Sequence, residues 1–157
     1  MTSRSLLSNM SDPKVISQVT STLVRLGYLK KESDSLTSEV VDALKAFQAG
    51  NLKKADEAFS AFANKYPKSP YLPLALYWGG NSKYANKDYT GAISQLQSLI
   101  KRYPNHPRIP TAMVTLGNSQ LESGNKAAAK KTFNEIIAKY PDTDAARDAQ
   151  QLIAATK

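Results

Sequence analysis

Cysteine is absent from the sequence, and histidine occurs once, at His106. The first absence excludes disulfides, thiolate metal sites, cysteine nucleophiles and a lipidated cysteine. It also fits an oxidising compartment, where stray thiols mispair. With neither a second histidine nor a cysteine beside it, His106 has no metal partners and reads as a surface residue of the PNHPR loop. Long apolar runs are missing too. None approaches the ~20 residues of a membrane span, so no membrane insertion is expected. The stretch Met1 to Met10 has one basic residue, Arg4, and lacks the run of roughly 7–15 apolar residues at the centre of a secretory signal. A cytoplasmic chain and a mature or truncated exported one both fit that. Hydrolase, phosphate-loop and dinucleotide motifs are also lacking. The carboxylates Asp56, Glu57, Glu135 and Asp148 are expected on wet outer helices, so catalysis has no foothold.

What is present suits a globular fold: 41% of residues are hydrophobic and 22% charged. The net charge of +8 is uneven. Residues 73–109 hold five basic groups, Lys83, Lys87, Lys101, Arg102 and Arg108, against Asp88 alone. This clustering is modest and has no nucleic-acid module around it, so nucleic-acid binding is not expected. An acidic partner or an anionic wall polymer remains compatible with it.

A repeat organises the chain. Tyr66-Pro67, Tyr103-Pro104 and Tyr140-Pro141 recur 37 residues apart. The same offset aligns Gly50-Asn51 with Lys87-Asp88 and Gly124-Asn125, and Ala55 with Ala92 and Ala129. It aligns Phe59 with Leu96 and Phe133, Phe62 with Leu99 and Ile136, and the small residues Ala43, Gly80 and Gly117. Each piece has a role in a helix–turn–helix unit. The small residues let paired helices approach, the bulky ones fill the space between them, and Gly-Asn or Lys-Asp makes the turn. Proline then stops the second helix, while Pro73 and Pro110 sit where a next helix tolerates them.

The pattern resembles the tetratricopeptide repeat, a unit of 34 residues, here with three extra in the inter-repeat loop. The fold expected is an all-α tetratricopeptide solenoid of three repeats, 38–72, 73–109 and 110–142. Helix pairs are predicted at 38–49 with 53–65, 73–86 with 89–102, and 110–123 with 126–139. A capping helix follows at 143–155, its face formed by Ala145, Ala149, Leu152 and Ile153. Residues 1–37 form an N-terminal segment with one amphipathic helix at about 13–27. Asp12-Pro13 would start it, Val15, Ile16, Val19, Leu23 and Leu26 form its stripe, and Gly27 would end it on repeat one. Alternatively, LVRLGYLK followed by DSLTSEVVDALKAFQ, Asp34 to Gln48, resembles part of the small three-helix peptidoglycan-binding domain. After Phe47-Gln48 the chain departs from that pattern.

From about Ser38 to Ile153 the sequence is similar to the periplasmic cell-division coordinator family of the Tol–Pal system (CpoB, also called YbgF). The YP-x-SP loop, the YW-x-G-x-x-x-Y helix and the YP-x-T-x-A-A end carry the resemblance. It implies a periplasmic, non-catalytic scaffold without cofactors that binds TolA and a bifunctional peptidoglycan synthase, linking outer-membrane constriction to septal wall synthesis. Members of that family have a signal peptide and trimerise through an N-terminal coiled coil. This sequence shows neither, and its stripe is too short for the three or four heptads required; homo-oligomerisation by another route stays open. Another periplasmic tetratricopeptide adaptor, such as an outer-membrane-assembly lipoprotein, is the alternative that the missing cysteine argues against.

First helices of stacked pairs line a concave face. Counting from the small residues places Leu74, Tyr77, Asn81, Tyr84 and Ala85 there in repeat two, and Thr111, Val114, Asn118, Leu121 and Glu122 in repeat three. Repeat one offers Val40, Leu44, Phe47 and Gln48. Asn81 and Asn118 are equivalent, and a pair of amides can both donate to and accept from a ligand backbone. Tyr77 and Tyr84 offer the large, partly polar area typical of contact hot spots. The partner-binding set expected is Leu74, Tyr77, Asn81, Tyr84, Thr111, Val114, Asn118 and Leu121. Trp78 is expected in the core, and the three repeat tyrosines in loop packing.

Overall fold

A computed structural model describes residues 34–156 of the chain. Seven helices follow one another: α1 Asp34–Gln48, α2 Leu52–Lys65, α3 Leu72–Ala85, α4 Tyr89–Arg102, α5 Ile109–Glu122, α6 Lys126–Lys139 and α7 Asp144–Ala155. No strand occurs among the described residues. Each helix packs on the next, and α3 also meets α1 and α5, so first helices form one layer of an all-α repeat solenoid and second helices the other. The amphipathic helix expected at 13–27 lies outside the described residues. So does the first half of the peptidoglycan-binding resemblance; its second half, α1, packs on α2 as the first helix of repeat one.

The repeated residues occupy repeated environments. Ala55, Ala92 and Ala129 are fully buried, as are Phe59, Leu96 and Phe133. A β-carbon on Gly80 would lie 2.6 Å from Leu96 Cδ2, and one on Gly117 would lie 2.3 Å from Phe133 Cε1. Glycine at these points sets the spacing inside each pair. Trp78 is buried against Phe47 of α1, ring centres 5.5 Å apart and edge to face. The cap α7 covers α6 and α5 with Ala145, Ala146, Ala149 and Leu152, while Ile153 is partly buried beside them.

The turns repeat as closely. Gly50 and Gly124 take φ +82° and +93°, and Lys87 takes φ +66° at the equivalent place. The next residue caps the second helix. Asn51, Asp88 and Asn125 accept from the backbone N–H of Lys54, Gly91 and Ala128 at 3.3, 3.0 and 3.0 Å, satisfying a donor that has no partner within the helix. At the far end, Tyr66, Tyr103 and Tyr140 donate their N–H to the carbonyls of Phe62, Leu99 and Ile136.

In the inter-repeat loops, Ser69 Oγ accepts from the N–H of Tyr71 at 3.0 Å. His106 holds the matching place in the next loop, its Nδ1 accepting from the Arg108 N–H at 3.1 Å. The histidine is half-buried and has this structural bond, more than a surface role suggested. Asp56, expected to be wet, is only 17% exposed and accepts from Lys83 Nζ at 2.5 Å, with Ser60 beside it. That ion pair ties α2 of repeat one to α3 of repeat two. Glu135 and Asp148 are half-buried as well, and burial raises the Asp148 carboxyl above its usual range.

Two outcomes follow from the turns and loops. A side chain at positive φ carries a steric cost that glycine avoids, so Lys87→Gly should stabilise the chain by about 1 kcal/mol. Gly124→Ala should destabilise it by a similar amount, both read from urea unfolding midpoints. Burial first, then Arg108, holds the His106 imidazole below its ordinary 6.5. The unfolded chain takes that proton more readily, so the stabilisation is complete above 6.5 and fades as pH falls through the lower folded value. His106→Ser, which copies Ser69, should therefore lose less stability than the native chain as pH falls below 6.5.

Candidate protein-docking wall

The orientation of the first helices follows from what touches the second ones. On α3, Gly80 faces Leu96, Gly79 lies over Phe59, the Leu76 carbonyl accepts from Gln95 Nε2 at 3.2 Å, and Lys83 reaches Asp56. At about 100° per residue, Leu74, Asn81 and Ala85 point the opposite way, away from the second helices. On α5 Thr111, Asn118 and Glu122 do so, and on α1 Leu44 and Gln48. The expected set is thereby brought to one wall, with Tyr77, Tyr84, Val114 and Leu121 toward the seam between first helices.

Exposure differs from that of an open, wet groove. Tyr77, Asn81, Tyr84, Val114 and Asn118 are 0–5% exposed, while Leu74, Thr111 and Leu121 are half-buried. Tyr77 fills the α3–α5 seam. The Arg108 guanidinium sits 5.4 Å from its ring centre, and Asn81 and Thr111 approach its hydroxyl. Burial pushes that hydroxyl above its ordinary 10.0, opposed chiefly by the nearby Arg108 charge. Tyr84 packs 5.7 Å from the Tyr89 ring. These tyrosines act first as internal packing, a result of neighbouring repeats that single-repeat counting does not capture.

The asparagines are the unusual members. Asn81 is fully buried, and beyond its approach to the Tyr77 hydroxyl neither its Oδ1 nor its Nδ2 makes a well-formed hydrogen bond among the described residues. Asn118 Nδ2 is unpartnered. Buried amides without partners cost free energy, and each calls for an explanation. Repeat one holds Leu44 at the same place, fully buried and without polar atoms. On the outer side, a hollow of about 460 Å³ lies between α2 and α4, with Ser60, Ser94, Gln95, Ser98 and Arg102 in its lining. Sequence reasoning missed it, because no repeated position marks it.

Comparison with known proteins bears on the same helices. The family model for YfiO, outer membrane lipoprotein, matches residues 36–157, more than three-quarters of the chain and all but the first two residues of the seven helices. The chain belongs to this family. It is therefore a helical-repeat domain of a bacterial-envelope family, of a class that typically binds protein rather than catalysing reactions. The match lies with the lipoproteins that the missing cysteine argued against. A lipid anchor belongs to a protein's extreme N-terminus, whereas the match rests on the repeats. No curated protein matches the chain, and no helix among the described residues is long and apolar enough to cross a membrane.

Replacing Asn81 by the leucine of repeat one removes two poorly partnered buried atoms at similar volume. Asn81→Leu should stabilise the free chain by about 1–2 kcal/mol in urea unfolding. A loss of stability would show that the amide has a partner within the protein.

Proposed function

We propose that the chain is a docking scaffold of the Gram-negative envelope whose concave wall, built by α1, α3 and α5, holds a segment of another protein. The observation carrying this reading is the aligned pair Asn81 and Asn118, buried with amide atoms poorly partnered among the described residues. A bound backbone supplies a donor and an acceptor to Asn81 and an acceptor to the Asn118 Nδ2. Leu74, Thr111 and Leu121 form a half-exposed rim around the pair, and Tyr77, Tyr84 and Val114 shape the seam beside it.

The partner favoured is TolA, together with a bifunctional peptidoglycan synthase, in coordinating outer-membrane constriction with septal wall synthesis. Support for it is the resemblance carried by the YP-x-SP loop and the YW-x-G-x-x-x-Y helix. The family match favours a second reading, an envelope adaptor of the outer-membrane lipoprotein kind with a different partner. Calorimetric titration with the periplasmic region of TolA decides between them. Saturable binding that falls at least roughly tenfold, a loss of ~1.4 kcal/mol, in the Asn81→Ala, Asn118→Ala double variant supports the first. Undiminished binding in that variant moves the site away from the wall, and no binding by the native chain leaves the second reading.

A further inference from the structure

The inter-repeat loops put a hydrogen-bond acceptor at one repeated place: Ser69, His106 and Thr143 stand 37 residues apart. Two of the three are hydroxyls, which accept at any ordinary pH. Ser69 Oγ accepts from the Tyr71 N–H at 3.0 Å, and Thr143 Oγ1 from the Ala146 N–H at 3.1 Å. In the middle loop the acceptor is an imidazole, His106 Nδ1, bonded to the Arg108 N–H at 3.1 Å. Only a neutral ring can accept there, because an imidazolium has two donors and no acceptor. Backbone bonds flank it, from the His106 N–H to the Tyr103 carbonyl at 3.1 Å and from the Ile109 N–H to the His106 carbonyl at 3.0 Å.

Arg108 carries this place into the seam between α3 and α5. Its guanidinium lies 5.4 Å from the Tyr77 ring centre, and with Asn81 and Thr111 it approaches the Tyr77 hydroxyl. Neither Arg108 nor His106 pairs with a carboxylate among the described residues. Arg108, at the start of α5, is the charge that acts on the imidazole. At the end of α4, Lys101 is exposed and Arg102 lies over the Tyr103 ring, while Tyr77 of α3 lies beneath Arg108. A proton on the ring removes the acceptor of the Arg108 N–H. It also sets a second cation two residues from the first, with no anion beside them to offset either.

We propose that residues 106–108 form a proton-operated latch between repeats two and three: protonation of His106 frees Arg108 from Tyr77 and loosens the α3–α5 seam. Burial and the Arg108 charge hold the imidazole below its ordinary 6.5. The latch is therefore closed at neutral pH and opens as pH falls through that lower value. Asn81 approaches the same tyrosine hydroxyl, so on the docking reading acid alters the wall, but the latch itself does not depend on that reading.

Two residues that occur once each report on the latch. His106 is the only histidine and Trp78 the only tryptophan, and the Trp78 ring lies 5.1 Å from that of Tyr77, edge to face. In the full chain, the His106 ring-proton resonance gives its titration midpoint by NMR, and Trp78 emission gives the state of the seam. As pH falls, that emission should shift in a one-proton step at the His106 midpoint, with acrylamide quenching rising roughly twofold as the seam opens locally. His106→Ser should remove the step, while circular dichroism shows both chains still helical. An unmoved Trp78 signal, a step displaced from the His106 midpoint, or the same step in His106→Ser overturns the proposal. Should acid unfold the native chain first, Arg108→Ala at neutral pH decides. Raised quenching with an unchanged circular-dichroism spectrum supports the latch, and quenching equal to that of the native chain overturns it. No partner enters these readouts, so their failure is distinct from a failed titration with TolA.

Discussion

The closeness of the two helices within each pair governs the rest of this molecule. Glycine at Gly80 and Gly117 lets Leu96 and Phe133 lie directly on the first helix. A β-carbon at 2.3–2.6 Å from those side chains would force the pair apart, and packed interiors absorb such displacement poorly. Because the contact recurs at one offset, each first helix has the same rotation about its axis. That common phase is what places Leu44, Asn81 and Asn118 in line. The turns defend it, with a residue at positive φ followed by an Asn or Asp cap fixing where each second helix begins.

Repetition made most of the fold legible in the sequence. Positions whose surroundings are local to one repeat, such as Ala92 on its neighbouring helix or Pro104 after the Tyr103 cap, announce themselves by recurring. Helix limits differ by few residues from those expected. The largest difference is at α1, which begins at Asp34 rather than 38. Features that depend on what the next repeat supplies were not legible. Lys83 stands where repeat one has Ala46 and repeat three Gln120, so no periodicity marks it, yet it pairs with Asp56 across the repeat boundary. His106 replaces Ser69 and keeps its backbone bond, a substitution of role that residue type conceals. Of the candidate site, the membership of the wall was readable from spacing, but its burial was not, because burial there depends on neighbouring helices.

The basic character of repeat two looks different once its charges have addresses. Lys83 is held by Asp56, Arg102 sits 5.5 Å from the Tyr103 ring, and Arg108 sits over Tyr77. Cations placed over aromatic faces hold loops and seams together, each contributing about 0.5–1 kcal/mol at exposed sites. Three of the five basic groups in 73–109 thus have structural partners, which weakens the case that the charge excess of this block is itself a binding signal.

The difference between repeat one and the other two gives the wall a direction. On the docking proposal, a ligand crossing it would meet Leu44 at one end and the amides of Asn81 and Asn118 beyond. An occupant that reverses its polarity would set polar atoms against leucine and leave the amides bare, losing hydrogen bonds at a place where water cannot replace them. Partner choice by such a wall comes less from the gain of a correct fit than from the cost of a wrong one. On the docking proposal, the same poorly partnered amide atoms would make the wall selective. Repeat one, having no amide at that position, contributes adhesion without selectivity.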